Sequence, residues 1–150
     1  MALEVPQHEV CPFCENIEKG ETSSGTKCAV IEDLADTFAF ILPRQIATPH
    51  LVVIPKRHAA TLIDLTSEEA AAIARHMQRL AVAVERAFRP AGLGVFQNNG
   101  VAAGQSVGHY HMHLSSMYPG QAPYILARDQ PPTPFEERVA IALRIRSALD

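Results

Sequence analysis

The sequence lacks the features of a membrane, secreted or nucleic-acid-binding protein. Its 150 residues contain no run of about 20 apolar residues that could form a transmembrane helix. The N-terminus, MALEVPQHEVCPFC, has neither the basic region nor the apolar core of a signal peptide. The net charge of −3 gives no general attraction to nucleic-acid backbones or anionic membranes. We therefore expect a cytoplasmic protein without nucleic-acid or membrane partners, in which any bound phosphate is held by a specific site.

Cysteine is also scarce, and internal repeats and low-complexity segments are missing. Two of the three cysteines, Cys11 and Cys14, are separated by two residues. In a reducing compartment this spacing favours a metal site or a redox couple over a structural disulfide, and two packed thiols are a further alternative. No βαβ pattern follows the cysteines, which argues against the redox couple. The length and the hydrophobic content of 47% indicate one domain over residues 1–150.

Short stretches rich in β-branched and aromatic residues predict about five strands. These stretches cover residues 27–33, 37–43, 50–56, 94–100 and 109–117. The first three follow one another closely, which is typical of an antiparallel meander. Thr66 and Glu69 form a capping box before a long amphipathic helix, and Thr133 and Glu136 form a second before a helix ending near Leu149. The sequence thus predicts an α+β domain whose antiparallel meander sheet is covered on one side by a long helix and a C-terminal helix.

Three histidines alternate with other residues in the last predicted strand. Successive side chains of a strand point to opposite faces, so His109, His111 and His113 share one face. Tyr110 and Met112 point to the other face, where they can pack against a helix. Three imidazoles make a poor core, because every buried ring nitrogen needs a partner. The pattern therefore indicates a functional face of the sheet.

Two chemical interpretations are open for this face. All three histidines could bind a catalytic zinc with an open fourth position. Alternatively, one ring attacks phosphorus, one orients a group or donates protons, and one anchors the structure. The second interpretation leaves Cys11, Cys14, His58 and His109 for a closed Cys2His2 zinc site, which would fix an N-terminal knuckle over residues 8–20 to the sheet.

The segments CPFC, HLVVIPKRH, NNGVAAGQSV and GQSVGHYHMH together resemble the histidine triad (HIT) family of nucleotide hydrolases and transferases. The similarity runs from about residue 11 to 114, and the triad preceded by Gly-Gln-Ser is its specific part. The resemblance implies an α+β domain that pairs into a homodimer and uses a histidine to attack the α-phosphorus of a nucleoside phosphate derivative. In zinc-containing members of the family, the four positions of the Cys2His2 site described above are the metal ligands.

The resemblance also implies roles for individual residues. His111 occupies the position of the nucleophile, and His50, Ser106 and His113 occupy positions beside the phosphate. Asn98 resembles the polar contact on the phosphate side. We expect structural zinc and no catalytic metal, because a neutral imidazole can attack phosphorus without charge repulsion.

Other candidate substrate contacts follow from the flanking sequence. Gly104 and Gln105 lie in the loop that leads to the triad, and the glycine lets backbone N–H groups approach a phosphate. Phe40 and Ile41 are candidates for an apolar slot that holds the base, or are simply core residues. Leu42 stands where family members commonly have an acidic residue that contacts the ribose hydroxyls. The ribose is therefore held differently, or the substrate is not an ordinary ribonucleotide.

These features predict a hydrolase acting on AMP- or GMP-like phosphoramidates or dinucleoside polyphosphates through a nucleotidyl-histidine intermediate. Transferases of the family usually have glutamine at the third triad position, so His113 favours hydrolysis. A nucleotidyltransferase and a nucleotide sensor with vestigial activity are the alternatives. Many members continue the triad with two apolar residues, proline and arginine, a pattern that is absent here. The leaving-group side and the C-terminal extension, residues 118–150, are thus unassigned.

Overall fold

Five strands form one antiparallel sheet in the computed structural model, which describes residues 2–121 and 129–150. The strands are β1 (Ala29–Asp33), β2 (Thr37–Ile41), β3 (His50–Pro55), β4 (Gly92–Phe96) and β5 (Met112–Met117). Their order across the sheet is β1-β2-β3-β5-β4. The first three strands form the predicted meander, whereas β5 inserts between β3 and β4 and leaves β4 at an edge. The α+β fold class is confirmed.

Three α-helices accompany the sheet in the described part of the chain. They are α1 (Pro12–Lys19), α2 (Ser67–Phe88) and α3 (Phe135–Arg146). The predicted capping box starts α2: the Thr66 hydroxyl accepts a hydrogen bond from the Glu69 N–H at 3.1 Å, and the Glu69 carboxylate accepts one from the Thr66 N–H at 2.9 Å. No helix in the described part of the chain is long and apolar enough to cross a membrane.

The start of α3 differs from the prediction. Pro134 is the N-cap residue, and no side chain caps the helix, so the predicted box of Thr133 and Glu136 is wrong. The Thr133 hydroxyl instead accepts a hydrogen bond from the Gln45 amide at 3.4 Å. The extension predicted for residues 118–150 includes residues 122–128, which lie outside the described part of the chain.

Helices α2 and α3 pack on one face of the sheet, called here the helix face. Its fully buried apolar side chains interlock across the layers: Ile31, Ile41, Leu51, Ile73, Leu80, Leu114 and Ile145. Tyr110 and Met112 also pack there, as the alternation of the triad segment predicts. This face therefore supplies most of the hydrophobic stabilisation of the domain.

A polar cluster interrupts the helix face where β1 and β2 meet α2. A bulge in β1 pairs Glu32 with Ala39, whose side chain faces α2. The Glu32 carboxylate lies 3.2 Å from both His76 Nε2 and Arg79 Nη2, and Thr37 lies within hydrogen-bond distance of His76 Nδ1 at 2.8 Å. The cluster ties α2 to the β1–β2 hairpin.

Helix α1 packs on the opposite face, called here the histidine face. Phe13 of α1 joins a second apolar cluster with Phe38, Phe40, Val52 and Ile54 of β2 and β3. The expectation that helices cover only one side of the sheet is therefore wrong. A short helix that begins within the C-x-x-C motif covers the side on which the histidines lie.

The segment that precedes α1 crosses the loop leading to the triad. The Val101 N–H donates a hydrogen bond to the Glu4 carbonyl at 2.8 Å. A Cβ atom on Gly108 would lie only 2.3 Å from the Pro6 carbonyl oxygen, so no other residue fits at this position without displacing backbone. The N-terminal segment thus braces one side of the loop.

Candidate active site and metal centre

All three triad rings lie on the histidine face, although only His113 belongs to β5 proper. His109 and His111 precede the strand and are buried, and the centroids of the His111 and His113 rings are 4.8 Å apart. The intervening Tyr110 anchors the segment, because its N–H donates to the Ala59 carbonyl at 2.7 Å. The segment therefore keeps its alternation before regular strand pairing begins.

Backbone carbonyls fix the tautomers of the first two histidines. A carbonyl oxygen only accepts, so the ring nitrogen that contacts it carries the hydrogen. His111 Nδ1 donates to the His109 carbonyl at 2.7 Å, and His109 Nε2 donates to the Pro55 carbonyl at 2.9 Å. His111 Nε2 thus keeps its lone pair and has no hydrogen-bond partner among the described residues, so this nitrogen is free to react with or bind a ligand.

A second chain of hydrogen bonds sets the tautomer of His113. The Ile46 N–H donates to His50 Nδ1 at 3.2 Å, so the hydrogen of neutral His50 is on Nε2. This atom lies 2.9 Å from His113 Nδ1, which must accept. The hydrogen of His113 is consequently on Nε2, where it is available as a hydrogen-bond donor. The structure therefore brings His50, His111 and His113 together.

Burial keeps these rings neutral at pH 7. Desolvation, assisted by the nearby His111, lowers the pKa of His50 to about 4. The same causes, with His50 as a further neighbour, lower the pKa of His113 to about 2. Burial also lowers the pKa of His111, although its hydrogen bond to the His109 carbonyl opposes this shift. The site therefore presents one unprotonated imidazole nitrogen and one neutral N–H donor.

The structure brings together the four predicted metal ligands. The ligand atoms of Cys11, Cys14, His58 and His109 all lie within 4.8 Å of one another. The distances to the histidine Nδ1 atoms are 3.5 Å for Cys11–His109, 3.4 Å for Cys14–His58 and 3.6 Å for Cys14–His109. A tetrahedral zinc with bonds of about 2.3 Å to sulfur and 2.0 Å to nitrogen would separate these atoms by about 3.5 Å. The donor set therefore fits zinc.

Local geometry explains why the two cysteines converge. Cys11 is the N-cap of α1, Pro12 starts the helix, and Cys14 lies within its first turn. Residues three apart at a helix start lie on the same side, which brings the sulfurs together. Burial, with the adjacent Cys11 and Glu18, raises the pKa of the Cys14 thiol to about 12. Only a nearby cation such as zinc would make the thiolate stable there.

The tri-histidine interpretation does not agree with this arrangement. His109 Nε2 donates to the Pro55 carbonyl and His109 Nδ1 converges with the cysteine sulfurs, so this ring has no nitrogen left for a metal shared with the other two triad histidines. Among the described residues, the one converging ligand group contains His109 but neither of the other triad rings.

Gln105 is fully engaged within its own loop. Its side-chain oxygen accepts from the Gly100 N–H at 2.7 Å, while its amide nitrogen donates to the carbonyls of Ala60 at 2.7 Å and Val107 at 2.9 Å. The amide therefore has no hydrogen left for a substrate. We assign Gln105 to loop support rather than to the substrate contact predicted from the sequence.

The other loop candidates lie around Gly104, which adopts a left-handed conformation with φ of +85°. Asn98 is half-buried, with its amide nitrogen 3.8 Å from the position of a Cβ on Gly104, and Ser106 is exposed. Asn99 is structural: its side-chain oxygen accepts from the Leu62 N–H at 2.7 Å. Asn98 and Ser106 thus remain available to a ligand.

The structure separates the two residues of the predicted base slot. Ile41 is buried in the core of the helix face, whereas Phe40 lies on the histidine face beneath Phe13, with ring centroids 5.3 Å apart. Consecutive strand residues point to opposite faces, so Ile41 cannot line a slot with Phe40. Leu42 is half-buried at the edge of the Phe40 cluster and provides no acid.

Two aromatic residues that sequence reasoning missed contact the histidines. The Phe96 ring stacks on His113, with centroids 4.5 Å apart and planes 8° apart. Phe13 lies edge-on to His111. The position of Phe13 between Cys11 and Cys14 was a usable signal, but its contact with a residue almost a hundred positions later was not visible in the sequence.

Comparison with known proteins agrees with this geometry. A HIT domain family model matches residues 24–120. An adenosine 5'-monophosphoramidase from Schizosaccharomyces pombe is 35% identical over 104 residues, 69% of this chain and 71% of the yeast protein. The structure is similar to a Hit-like protein involved in cell-cycle regulation from Bartonella henselae, with TM-score 0.81, 28% identity and coverage of 97% of this chain and 100% of the other. A zinc-bound histidine triad family protein from Mycobacterium smegmatis gives TM-score 0.75, 25% identity and coverage of 92% and 91%.

Proposed function

This chain belongs to the HIT family, and on that premise we propose that it hydrolyses nucleoside phosphoramidates or dinucleoside polyphosphates at the α-phosphorus. The observation that carries the proposal is the state of His111, whose Nδ1–H is bound to the His109 carbonyl while its Nε2 lone pair is free. A related phosphoramidase acts on an AMP derivative, which supports an AMP-like substrate. The third triad histidine supports hydrolysis rather than transfer.

The first step forms a covalent intermediate. The His111 Nε2 lone pair attacks the α-phosphorus, and the bond from phosphorus to the leaving nitrogen or oxygen breaks with its electron pair. His113 Nε2–H donates a hydrogen bond to the leaving atom, which takes its proton from solvent water, because a neutral imidazole is too weak an acid to release its remaining hydrogen. The His111 Nδ1–H remains bound to the carbonyl and stabilises the charge that develops on the ring.

The second step regenerates the enzyme. Water attacks the phosphorus, the bond from phosphorus to His111 Nε2 breaks with its electron pair, and the proton lost by the attacking water passes to solvent, where it replaces the one taken up by the leaving group. His50 holds His113 in the required tautomer throughout. Asn98 and Ser106 are proposed to hold the phosphate oxygens, with backbone N–H groups near Gly104.

We further propose that Cys11, Cys14, His58 and His109 hold a structural zinc. Their tetrahedral spacing supports the assignment, as does the zinc-bound relative from Mycobacterium smegmatis. The ion would cross-link α1 to the loop after β3 and to the segment before β5. No step of the reaction passes through it.

A homodimer is part of the proposal. Among the described residues, strand β4 lies at the sheet edge and pairs only with β5, and Val95 on it is 52% exposed. Phe96 and Val101 nearby are also exposed. An uncovered strand edge with apolar side chains is a surface that a second copy can cover.

Turnover of adenosine phosphoramidate and of diadenosine tetraphosphate tests the catalytic proposal. We expect wild-type protein to hydrolyse at least one of them and to form an adduct on His111 that mass spectrometry detects after an alkaline quench, which preserves the acid-labile N–P bond. His111→Asn should reduce kcat at least about 10³-fold while AMP binding survives. The exposed His8→Asn serves as a control and should retain activity. An adduct on another residue contradicts the mechanism, and AMP binding without turnover by the wild type favours the sensor alternative.

A further inference from the structure

We propose that Phe13, located between the two cysteines of the metal centre, is a positioning residue that holds the His111 ring in its attacking orientation. The inference rests on the proposed function, because it concerns the geometry of the same nucleophile. It assigns the C-x-x-C segment a role in catalysis beyond metal binding.

Phe13 contacts both kinds of functional histidine. Its ring is 5.2 Å from the His111 ring, at an interplanar angle of 87°, and 5.9 Å from the His109 ring, at 64°. Its other side packs edge-on against Phe40 of β2 at 5.3 Å. Phe13 is only 7% exposed, so these contacts hold it between α1 and the sheet. One side chain thus joins a metal ligand, the nucleophile and the sheet.

The His111 ring needs such a contact. Its hydrogen bond to the His109 carbonyl fixes the position of Nδ1 but leaves the ring free to tilt about that bond. In-line attack depends on the direction of the Nε2 lone pair, and a displacement of about 1 Å can reduce a rate about 10²-fold. The Phe13 ring, 5.2 Å away and nearly perpendicular, and the His113 ring, 4.8 Å away, are the two ring contacts of His111 among the described residues that can limit this tilt.

The metal ligands explain how Phe13 itself is held. Cys11 and Cys14 flank Phe13, and their sulfurs converge with the His58 and His109 nitrogens. A zinc bound by this cluster would fix the first turn of α1 and therefore the position of the Phe13 Cα atom. Since His109 also supplies the carbonyl that orients His111, the metal centre acts on the nucleophile through two routes.

A matched pair of variants isolates the contact. Phe13 and Phe38 belong to the same buried cluster and both lie near Phe40, with Phe38 at 6.0 Å, but of the two only Phe13 contacts a described histidine ring. In single-turnover experiments, Phe13→Leu should slow formation of the nucleotidyl-enzyme about 10- to 100-fold. Phe38→Leu should leave this rate within about 3-fold of wild type. Both should keep bound zinc and AMP affinity.

NMR provides a readout independent of turnover. The His111 Nδ1–H and ring carbon signals should shift or broaden in Phe13→Leu and remain unchanged in Phe38→Leu. If Phe13→Leu does not fold, Phe13→Met is measured by the same criteria. Equal rates in the paired variants, unchanged His111 signals in Phe13→Leu, or a rate loss that accompanies zinc loss would overturn the inference. Absence of the adduct in wild type would instead contradict the proposed function, and the NMR comparison would still test the positioning.

Discussion

The two faces of the sheet bury their side chains by different physical means. The helix face excludes water through apolar area, with Leu80, Leu114 and Ile145 fully buried. The histidine face buries imidazoles, and all their nitrogens except Nε2 of His111 and Nε2 of His113 are matched to carbonyls, N–H groups, thiols or other rings. The same short segment serves both faces, because its side chains alternate. Residues that pack into the core and residues that form the candidate site therefore alternate along the same segment.

The difference also shows how a reactive nitrogen is recognised. Buried polar groups normally find partners, and those left without one are expensive. Both nitrogens of His50 are engaged, as are both nitrogens of His109 once the cysteines are counted. Among the described residues, Nε2 of His111 and Nε2 of His113 have no such partner. These are the two atoms to which the proposed mechanism assigns attack and hydrogen-bond donation to the leaving group.

Removal of a proposed metal ligand should have the largest effect on the histidine face, because α1 would lose its cross-link to the sheet. Cys14→Ser should lose bound zinc, and its free energy of unfolding should fall on the order of 5 kcal/mol, because binding energy at structural zinc sites is folding energy. Zinc analysis and urea unfolding with and without chelator measure the effect. Cys28→Ala, which lies outside the ligand group, should keep zinc and its sensitivity to chelator. Full zinc occupancy in Cys14→Ser would contradict the assignment.

A cavity in the helix face should lower the free energy of unfolding without changing the catalytic rate of the folded protein. Leu80→Ala removes a fully buried side chain, so the free energy of unfolding should fall by about 3 kcal/mol while kcat/KM of the folded protein is unchanged. Leu143→Ala is the matched control, because Leu143 is 50% exposed and should change stability by less than about 1 kcal/mol. Denaturant unfolding and initial rates below the transition are the measurements. A proportional loss of activity would mean that the two faces are not independent.

Acid should weaken the histidine face more gradually. The pKa of His50 is about 4 in the folded protein and about 6.5 when unfolded, so between these values the unfolded state binds more protons. Stability is complete above pH 6.5 and should fall by up to about 1.4 kcal/mol per pH unit for this histidine as the pH decreases towards 4. His50→Gln should show a shallower slope in urea unfolding from pH 7 to 4.5. Protonation of the metal ligands affects both proteins equally, and identical slopes would refute the assignment.

Local patterns predicted the parts of the molecule that depend on neighbouring residues. The Thr66–Glu69 capping box and the alternation around Tyr110 were both predictable, because each involves contacts within a few positions. The proposed metal ligands were predictable as a group, because two cysteines separated by two residues are typical of a zinc site to which histidines elsewhere in the chain can contribute.

Contacts between distant segments were not predictable in the same way. The insertion of β5 between β3 and β4 depends on long-range pairing, which no local propensity specifies. The loop-supporting role of Gln105 depends on the carbonyl of Ala60, 45 positions earlier. The separation of Phe40 from Ile41 was accessible from strand alternation, and their assignment to one slot did not apply it.

Because the N-terminal segment crosses the loop at Gly108, a fluorescent label near the N-terminus would lie close to that loop. Leu3 lies 3.6 Å from the position of a Cβ on Gly100, so a fluorophore at residue 2 would lie beside the loop that contains the proposed phosphate contacts. We expect its emission to change on addition of AMP if the loop binds phosphate as proposed. A dye at the opposite terminus, where Asp150 pairs with Arg86 of α2, would report only the integrity of the scaffold. Labels at the two termini would therefore distinguish ligand binding from unfolding.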